Sequence, residues 1–294
     1  MALRERRLKP RLVCWYSNGS ASLIAAKRAI EMQPELYPDH QIVVARIYLK
    51  EEYHEPERDE LVELFLGHKI LDMRDKKHSA SVDEVIRIHR YMSGVAGAKC
   101  TKVLKKAVRL NWQRDSDVHV FGFDCDEGER RINNLLDTEP EINYFAPLVE
   151  LGMTKKDCFS EQLEVGIPLS MMYKLGYHNN NCIGCVKAGG AGYWNKIRVD
   201  FPDVFWNRAR QEELLNTAMV SMSRDKFMKL WPDHFARMCE EWEDRYKTTR
   251  VKRRGGYADY HTSLIPLRFL PEDAGDHKDL DIGDCGFICE MKGN

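Results

Sequence analysis

Cys182 and Cys185 form a C-x-x-C, a spacing that lets two thiolates reach one metal ion or one cluster. The same spacing serves a redox dithiol or a structural loop. His178-Asn179-Asn180-Asn181 before the pair, with Gly184, Gly189 and Gly190 around it, describes a tight hydrogen-bonded loop and favours ligation. A metal needs more donors than two. Cys100 is the best third, with Cys125, Cys285 and Cys289 competing for the fourth. Three cysteines with one open position would leave a cluster iron able to take sulfide or substrate. Cys14, Cys158 and Cys239 sit among apolar or helical residues and read as core or incidental. The cysteine count is nine, which is odd, and Met1 to Pro10 is basic and polar with no secretion signal. Reduced thiols, a metal site or redox chemistry therefore outrank a disulfide framework.

The second chemical stretch runs from Arg11 to Ala26. Arg11-Leu12-Val13-Cys14-Trp15-Tyr16 suits a buried strand, and Leu23 to Ile30 reads as a helix. Between them lies Ser17-Asn18-Gly19-Ser20-Ala21-Ser22, small and polar. Such a loop lets backbone N–H groups and hydroxyls approach an anion, and the helix N-terminus adds partial positive charge. Phosphate or sulfate is the natural guest. An ordinary strand-to-helix turn uses the same residues, and the spacing is not that of a G-x-x-x-x-G-K-[ST] loop.

The elements that must position these groups alternate. A second strand is expected over Gln41 to Leu49, and a helix from Pro56 to about Leu66. Glu51, Glu52, His54 and Glu55 crowd the end of that strand; they suit a magnesium ion, a ribose or a solvated helix entrance. A strand over Lys69 to Met73, a helix over Ser81 to Tyr91 and a loop from Gly94 to Thr101 follow. Lys102 to Trp112 reads as a basic helix, through Lys102, Lys105, Lys106 and Arg109, that either faces an anion or is solvated. Val118 to Phe123 is a clear strand, Asp126 to Arg131 opens a helix, and Glu141 to Val149 reads as a last strand. Thr154 and Asp157 have capping-box spacing. Arg210 to Met222 and His234 to Tyr246 read as helices. The alternation predicts an α/β fold with a doubly wound parallel sheet, whose ligands lie beyond the carboxyl ends of the strands.

Length and composition agree. The 294 residues, 43% hydrophobic, can build one large α/β domain with appendages or two small ones. The net charge of −1 gives no bulk reason to bind nucleic acid, although Lys247, Arg250, Lys252, Arg253 and Arg254 form a local basic stretch. No run has the length of a membrane span, so the expectation is a cytoplasmic enzyme with no membrane partner.

Several segments together resemble the phosphoadenosine-phosphosulfate (PAPS) reductase family within the PP-loop ATP pyrophosphatase superfamily, especially the PAPS-reductase-like proteins of phages and bacteria. They are Ser17 to Ser22, Ala96 to Thr101, Gly122 to Arg130, Leu175 to Cys185, and Gly192-Tyr193-Trp194-Asn195-Lys196-Ile197. The resemblance spans roughly residues 11 to 210. It implies a HUP-like sheet of the adenine nucleotide α-hydrolase type over residues 8–200, and a helical extension with a cysteine-bearing tail over 201–294. It implies an adenine nucleotide (ATP, PAPS or its unphosphorylated analogue APS) held by Ser17, Asn18, Gly19, Ser20, Ser22 and Arg130. Trp194, Tyr193 and Lys196 contact substrate or pack the loop. The superfamily pattern S-G-G-x-D-S is altered by Asn18 and Ala21, which favours the reductase over ATP cleavage.

Iron–sulfur members of the family hold a 4Fe–4S cluster with a cysteine pair near a basic helix and a later C-x-x-C. Cys100, Cys182 and Cys185 match three of those positions, Lys99 stands at the fourth, and Cys289 can complete a set. Thiol-dependent members attack the sulfonate with a tail cysteine in E-C-G-x-H. Asp284-Cys285-Gly286-Phe287-Ile288 matches it in part, which makes Cys285 the catalytic candidate, with a thiol electron donor. The leading expectation is reductive sulfonate or sulfur transfer from an adenylated sulfate. Its rivals are an ATP-dependent enzyme that adenylates and thiolates nucleic acid, and a nucleotide-binding regulator whose cysteines hold zinc.

Overall fold

The computed structural model describes residues 9–94, 97–242, 249–253, 256–260 and 264–275. Strands and helices alternate through its first half: β1 (Arg11–Trp15), α1 (Ser20–Leu36), β2 (Gln41–Ile47), α2 (Pro56–Leu66), β3 (Ile70–Met73), α3 (Val82–His89). A π-helical turn, Thr101–Lys106, leads into α4 (Ala107–Trp112). Then come β4 (Val118–Val120), α5 (Gly128–Thr138), β5 (Tyr144–Phe145), α6 (Pro147–Glu150), α7 (Lys155–Glu164) and α8 (Met171–Lys174). The second half is α9 (Ala191–Asp200), α10 (Pro202–Leu215), β6 (Val220–Ser221), α11 (Arg224–Leu230), α12 (Pro232–Glu241), β7 (Thr249–Arg253), β8 (Gly256–Tyr260) and β9 (Leu264–Ile265).

The chain forms two compact units whose segments interleave. The first takes the residues up to 48, then 53–76 and 105–176; the second takes 49–52, 77–104 and 177 onward.

The first unit is α/β. Its five strands lie in the order β3-β2-β1-β4-β5, and every pairing is parallel. The central strand β1 is buried along its whole length, as its apolar run requires. Leu23, Ile24, Ala25, Ala26 and Ala29 of α1, Val62 and Leu66 of α2, and Cys158 of α7 join Leu12, Cys14, Val44 and Val120 in one core. At the start of β1, Arg11 grips Asp117 with Nε and Nη2 at 2.9 and 2.6 Å and stacks on Trp112 at 3.8 Å. That bidentate pair fixes the N-terminal end of the strand.

Strand order decides where a ligand belongs. From β1 the chain steps outward to β2 and β3, then returns to lay β4 on the other side of β1. The β1–β4 seam is therefore the switch point of the sheet, the place where an α/β sheet opens a crevice at its carboxyl edge.

Three expected elements differ. The segment Glu141 to Val149 holds only a two-residue strand, because Pro147 sits at the first helical position of α6. The helix expected over Arg210 to Met222 begins earlier, at Pro202, and ends at Asn216 in the left-handed conformation. The helix expected from His234 runs Pro232–Glu241. The capping box of Thr154 and Asp157 is formed.

In the second unit β6 pairs with β9, and β7 with β8, all antiparallel. Glu212 of α10 is fully buried and accepts the amides of Met219 at 2.7 Å and Leu267 at 2.6 Å, tying the helix to the β6–β9 pair. Among the described residues no helix is long and apolar enough to cross a membrane.

Candidate functional site

The switch point is occupied by Ser17 to Ser22. Asn18 has a φ of +62°, a backbone state open to glycine and, at small cost, to asparagine. Its Oδ1 accepts from Arg46 Nη1 at 2.6 Å, and Arg46 is itself held by Asp59 and Asp72. Ser22 closes the loop: its hydroxyl donates to the Gly19 carbonyl at 2.8 Å and accepts from the Ser17 amide at 3.1 Å. Ser22 thus shapes the loop, while Ser17 joins it through its own hydroxyl at 3.2 Å.

Gly19 is the N-cap of α1 and offers no side chain to the helix end. The first N–H groups of a helix have no intrahelical acceptor, and here no cap residue takes one. Ser20, fully buried, has a hydroxyl with no hydrogen-bond partner. Gly122, just beyond β4, presses against this corner: a Cβ there would stand 2.6 Å from Ser22 Cα and 2.7 Å from Ser22 N. The corner is thus a 17-residue helix aimed at the crevice with its positive end uncapped.

The other residues expected around a nucleotide are placed differently. Arg130 is exposed on the first turn of α5, with Glu127 3.5 Å away. Asp124 is buried and caps the Asp126 and Glu127 amides. In the basic stretch Lys102 is exposed and Lys105 is buried. Arg109 is fully buried on Glu139 and Gln113, and Lys106 shares Glu139 at 3.1 Å. Glu51, Glu55 and His54 are each used locally: Glu51 accepts Ser81 Oγ at 2.6 Å, Glu55 the Met171 amide at 3.0 Å, and His54 stacks on Tyr48.

The thiols lie in the second unit. Cys182 and Cys185 are buried in a loop that its neighbours hold at three consecutive residues, 183 to 185. The Ile183 amide donates to Glu51 O at 2.8 Å, the Cys185 amide to the Tyr193 hydroxyl at 2.9 Å, and Arg208 Nε to Gly184 O at 3.0 Å. Trp194 Nε1 donates to Ala188 O at 2.9 Å, and Lys196 pairs with Asp200, so this aromatic segment packs the loop. Burial, then Cys185, pushes the Tyr193 phenol well above its ordinary range.

Cys100 is buried in a helical stretch that starts at Lys99 and continues through the π-helical turn, not in the loop that its surroundings suggest. Among the described residues no three His, Cys, Asp or Glu side chains gather as a metal would need. Cys285, Cys289, Lys247 and Arg254 lie outside the described residues.

Of the remaining cysteines, Cys14 and Cys158 are buried and Cys125 is half-buried. Burial raises the Cys14 and Cys158 thiols to about 12. Cys239, read as core or incidental, is exposed on α12. No family model matches the chain, and no curated protein matches it.

Sequence reasoning missed Arg58 and Ser170. Both are buried, and each carries a polar atom with no partner. Arg58 stands among the charges of α2 and reads as a solvated helix position. Nothing local marks Ser170, since it comes 150 residues after the loop.

Proposed function

We propose that the chain is an enzyme that binds an adenylated sulfate, with the sulfate or phosphate group seated on the N-terminus of α1. One observation carries this reading: at the switch point of a parallel sheet, α1 begins on a glycine cap with a buried, unpartnered Ser20 hydroxyl in its first turn. Anionic ligands are what such a corner stabilises. The PAPS-reductase-like segments of the sequence supply the chemistry. In that reading the Cys285 thiolate attacks the sulfonate sulfur. A sulfur–sulfur bond forms as the sulfur–oxygen bond to the nucleotide breaks, and the electron pair leaves on the phosphate oxygen. A second thiol then releases sulfite and leaves a disulfide.

Titration of the full chain with adenosine 5′-phosphosulfate and its 3′-phosphorylated form, followed by a sulfite assay with a dithiol donor, tests the reading. Binding of either nucleotide and thiol-dependent sulfite release support it. Absence of nucleotide binding removes it. Binding with full turnover in Cys285→Ser would leave the substrate class standing and remove the tail thiol from the mechanism.

A further inference from the structure

We propose that Arg58, Ser170 and Ser20 form a buried tetrahedral-oxyanion subsite behind the Ser17–Ser22 loop, in which the Arg58 guanidinium neutralises the bound group. The identity of the natural ligand rests on the reading above; the anion site does not.

Three polar groups at this corner are buried without partners: Arg58 Nη2, Ser170 Oγ and Ser20 Oγ. Their residues are 3%, 0% and 0% exposed. Hydrogen bonds and packing link the segments that carry them. Arg58 donates through Nη1 to the Tyr16 hydroxyl at 2.7 Å, and Tyr16 directly precedes Ser17. Through Nε it donates to Pro168 O at 2.9 Å, two residues before Ser170. Ser170 is the N-cap of α8, and Tyr173 of that helix has its hydroxyl 3.1 Å from where a Gly19 Cβ would stand. Gly19 and Ser20 begin α1. With Nε and Nη1 both fixed, Nη2 is the donor that remains.

The charge narrows the occupant. A buried guanidinium without a counter-ion is costly. The carboxylates nearby are committed elsewhere: Asp59 and Asp72 to Arg46, and Glu55 to the Met171 amide. No described carboxylate pairs with Arg58. Water satisfies an unpartnered hydroxyl but does not neutralise a cation. A group with one or two negative charges and several acceptor oxygens supplies both the counter-charge and acceptors for unpartnered donors, and sulfate and phosphate share that chemistry.

The test is calorimetric titration and thermal melting of the full chain with sodium sulfate and with sodium phosphate, against sodium chloride at equal ionic strength. Sulfate or phosphate is expected to bind and raise the melting temperature where chloride does not; the arm that responds names the anion. Arg58→Gln is expected to weaken that binding about tenfold or more, the scale of a charged hydrogen bond. Ser170→Ala loses a hydroxyl that bonds nothing, so its anion-free melting temperature should match the wild type while its anion affinity falls several-fold. If Arg58→Gln does not fold, Ser170→Ala and Arg58→Lys decide. No response to either anion in the wild type, or wild-type affinity in the variants, overturns the proposal. Nucleotide binding with silent variants removes the subsite and keeps the nucleotide reading. Arg58-dependent sulfate binding without nucleotide binding does the reverse.

Discussion

The Trp15 indole N–H donates to Nδ1 of His119 at 3.0 Å across the seam between β1 and β4, with the two rings stacked 6.0 Å apart. His119 must therefore keep Nδ1 unprotonated. Burial, helped by Arg109, lowers its pKa to about 4. The folded form binds fewer protons than the unfolded chain between pH 6.5 and 4, so stability is present above 6.5 and is lost as pH falls through that window. The loss should reach about 3 kcal/mol. Urea midpoints measured from pH 7.5 to 4.5 check this. His119→Gln, which keeps an acceptor but does not titrate, should flatten the profile; an unchanged slope would show that other groups carry it.

Glu212 works in the opposite sense. Burial raises its carboxyl to about 8, against the pull of the Leu267 and Met219 amides. The folded form then holds a proton that the unfolded chain has released above about 4.5. Its contribution is full below 4.5 and falls as pH rises to 8. Glu212→Gln removes the titration but sets an amide NH2 against one of the two backbone donors, which costs about 1–3 kcal/mol. The variant should be clearly weaker at pH 5 and approach the wild type by pH 8.5. A constant gap across that range would mean that Glu212 stays ionised in the fold.

Gly122→Ala tests the corner sterically. The new methyl meets the Ser22 backbone, which has no flexible end to move aside. A stability loss of about 1–3 kcal/mol is expected, together with weaker sulfate or phosphate binding as α1 is displaced. Gly67→Ala is the contrast. Its φ of +69° makes the substitution strained, by about 1 kcal/mol, but nothing lies within 4 Å of the added carbon. Anion binding should be unchanged there. Equal binding losses in the two variants would show that instability alone explains the first.

The parallel sheet was legible because its strands are short apolar runs between turn residues, and burial on both faces demands that pattern. The Ser17–Ser22 loop was legible because all its parts are adjacent in sequence. Arg58 and Ser170 were not, since only folding brings α2 and α8 to that loop. Arg109 misled for a related reason: a basic helix face looks solvated until Glu139, thirty residues later, is known to cover it. Pro147 and Pro202 stand at helix starts, which the strand expected over 141–149 and the helix expected from Arg210 pass over. Cys100 and the C-x-x-C share the second unit, but spacing alone cannot say whether thiols converge.

Tyr193 is the group through which that thiol loop can be probed. Its hydroxyl accepts the Cys185 amide, and both residues are buried. Tyr193→Phe keeps the ring and its edge-on contact with Trp194, and removes only the acceptor. The orphaned amide should cost about 1–3 kcal/mol. The loop between Tyr177 and Gly189 should then open more often, and alkylation of Cys182 and Cys185 in native buffer should rise by the matching factor, about 5- to 150-fold. Cys14, whose thiol is held up near 12 in the core of the first unit, serves as the internal reference. Selective acceleration at Cys182 and Cys185, read by mass spectrometry, is the expected result. Acceleration of all three together would mean that the substitution loosens the whole chain, and no change would mean that the phenol does not hold the loop.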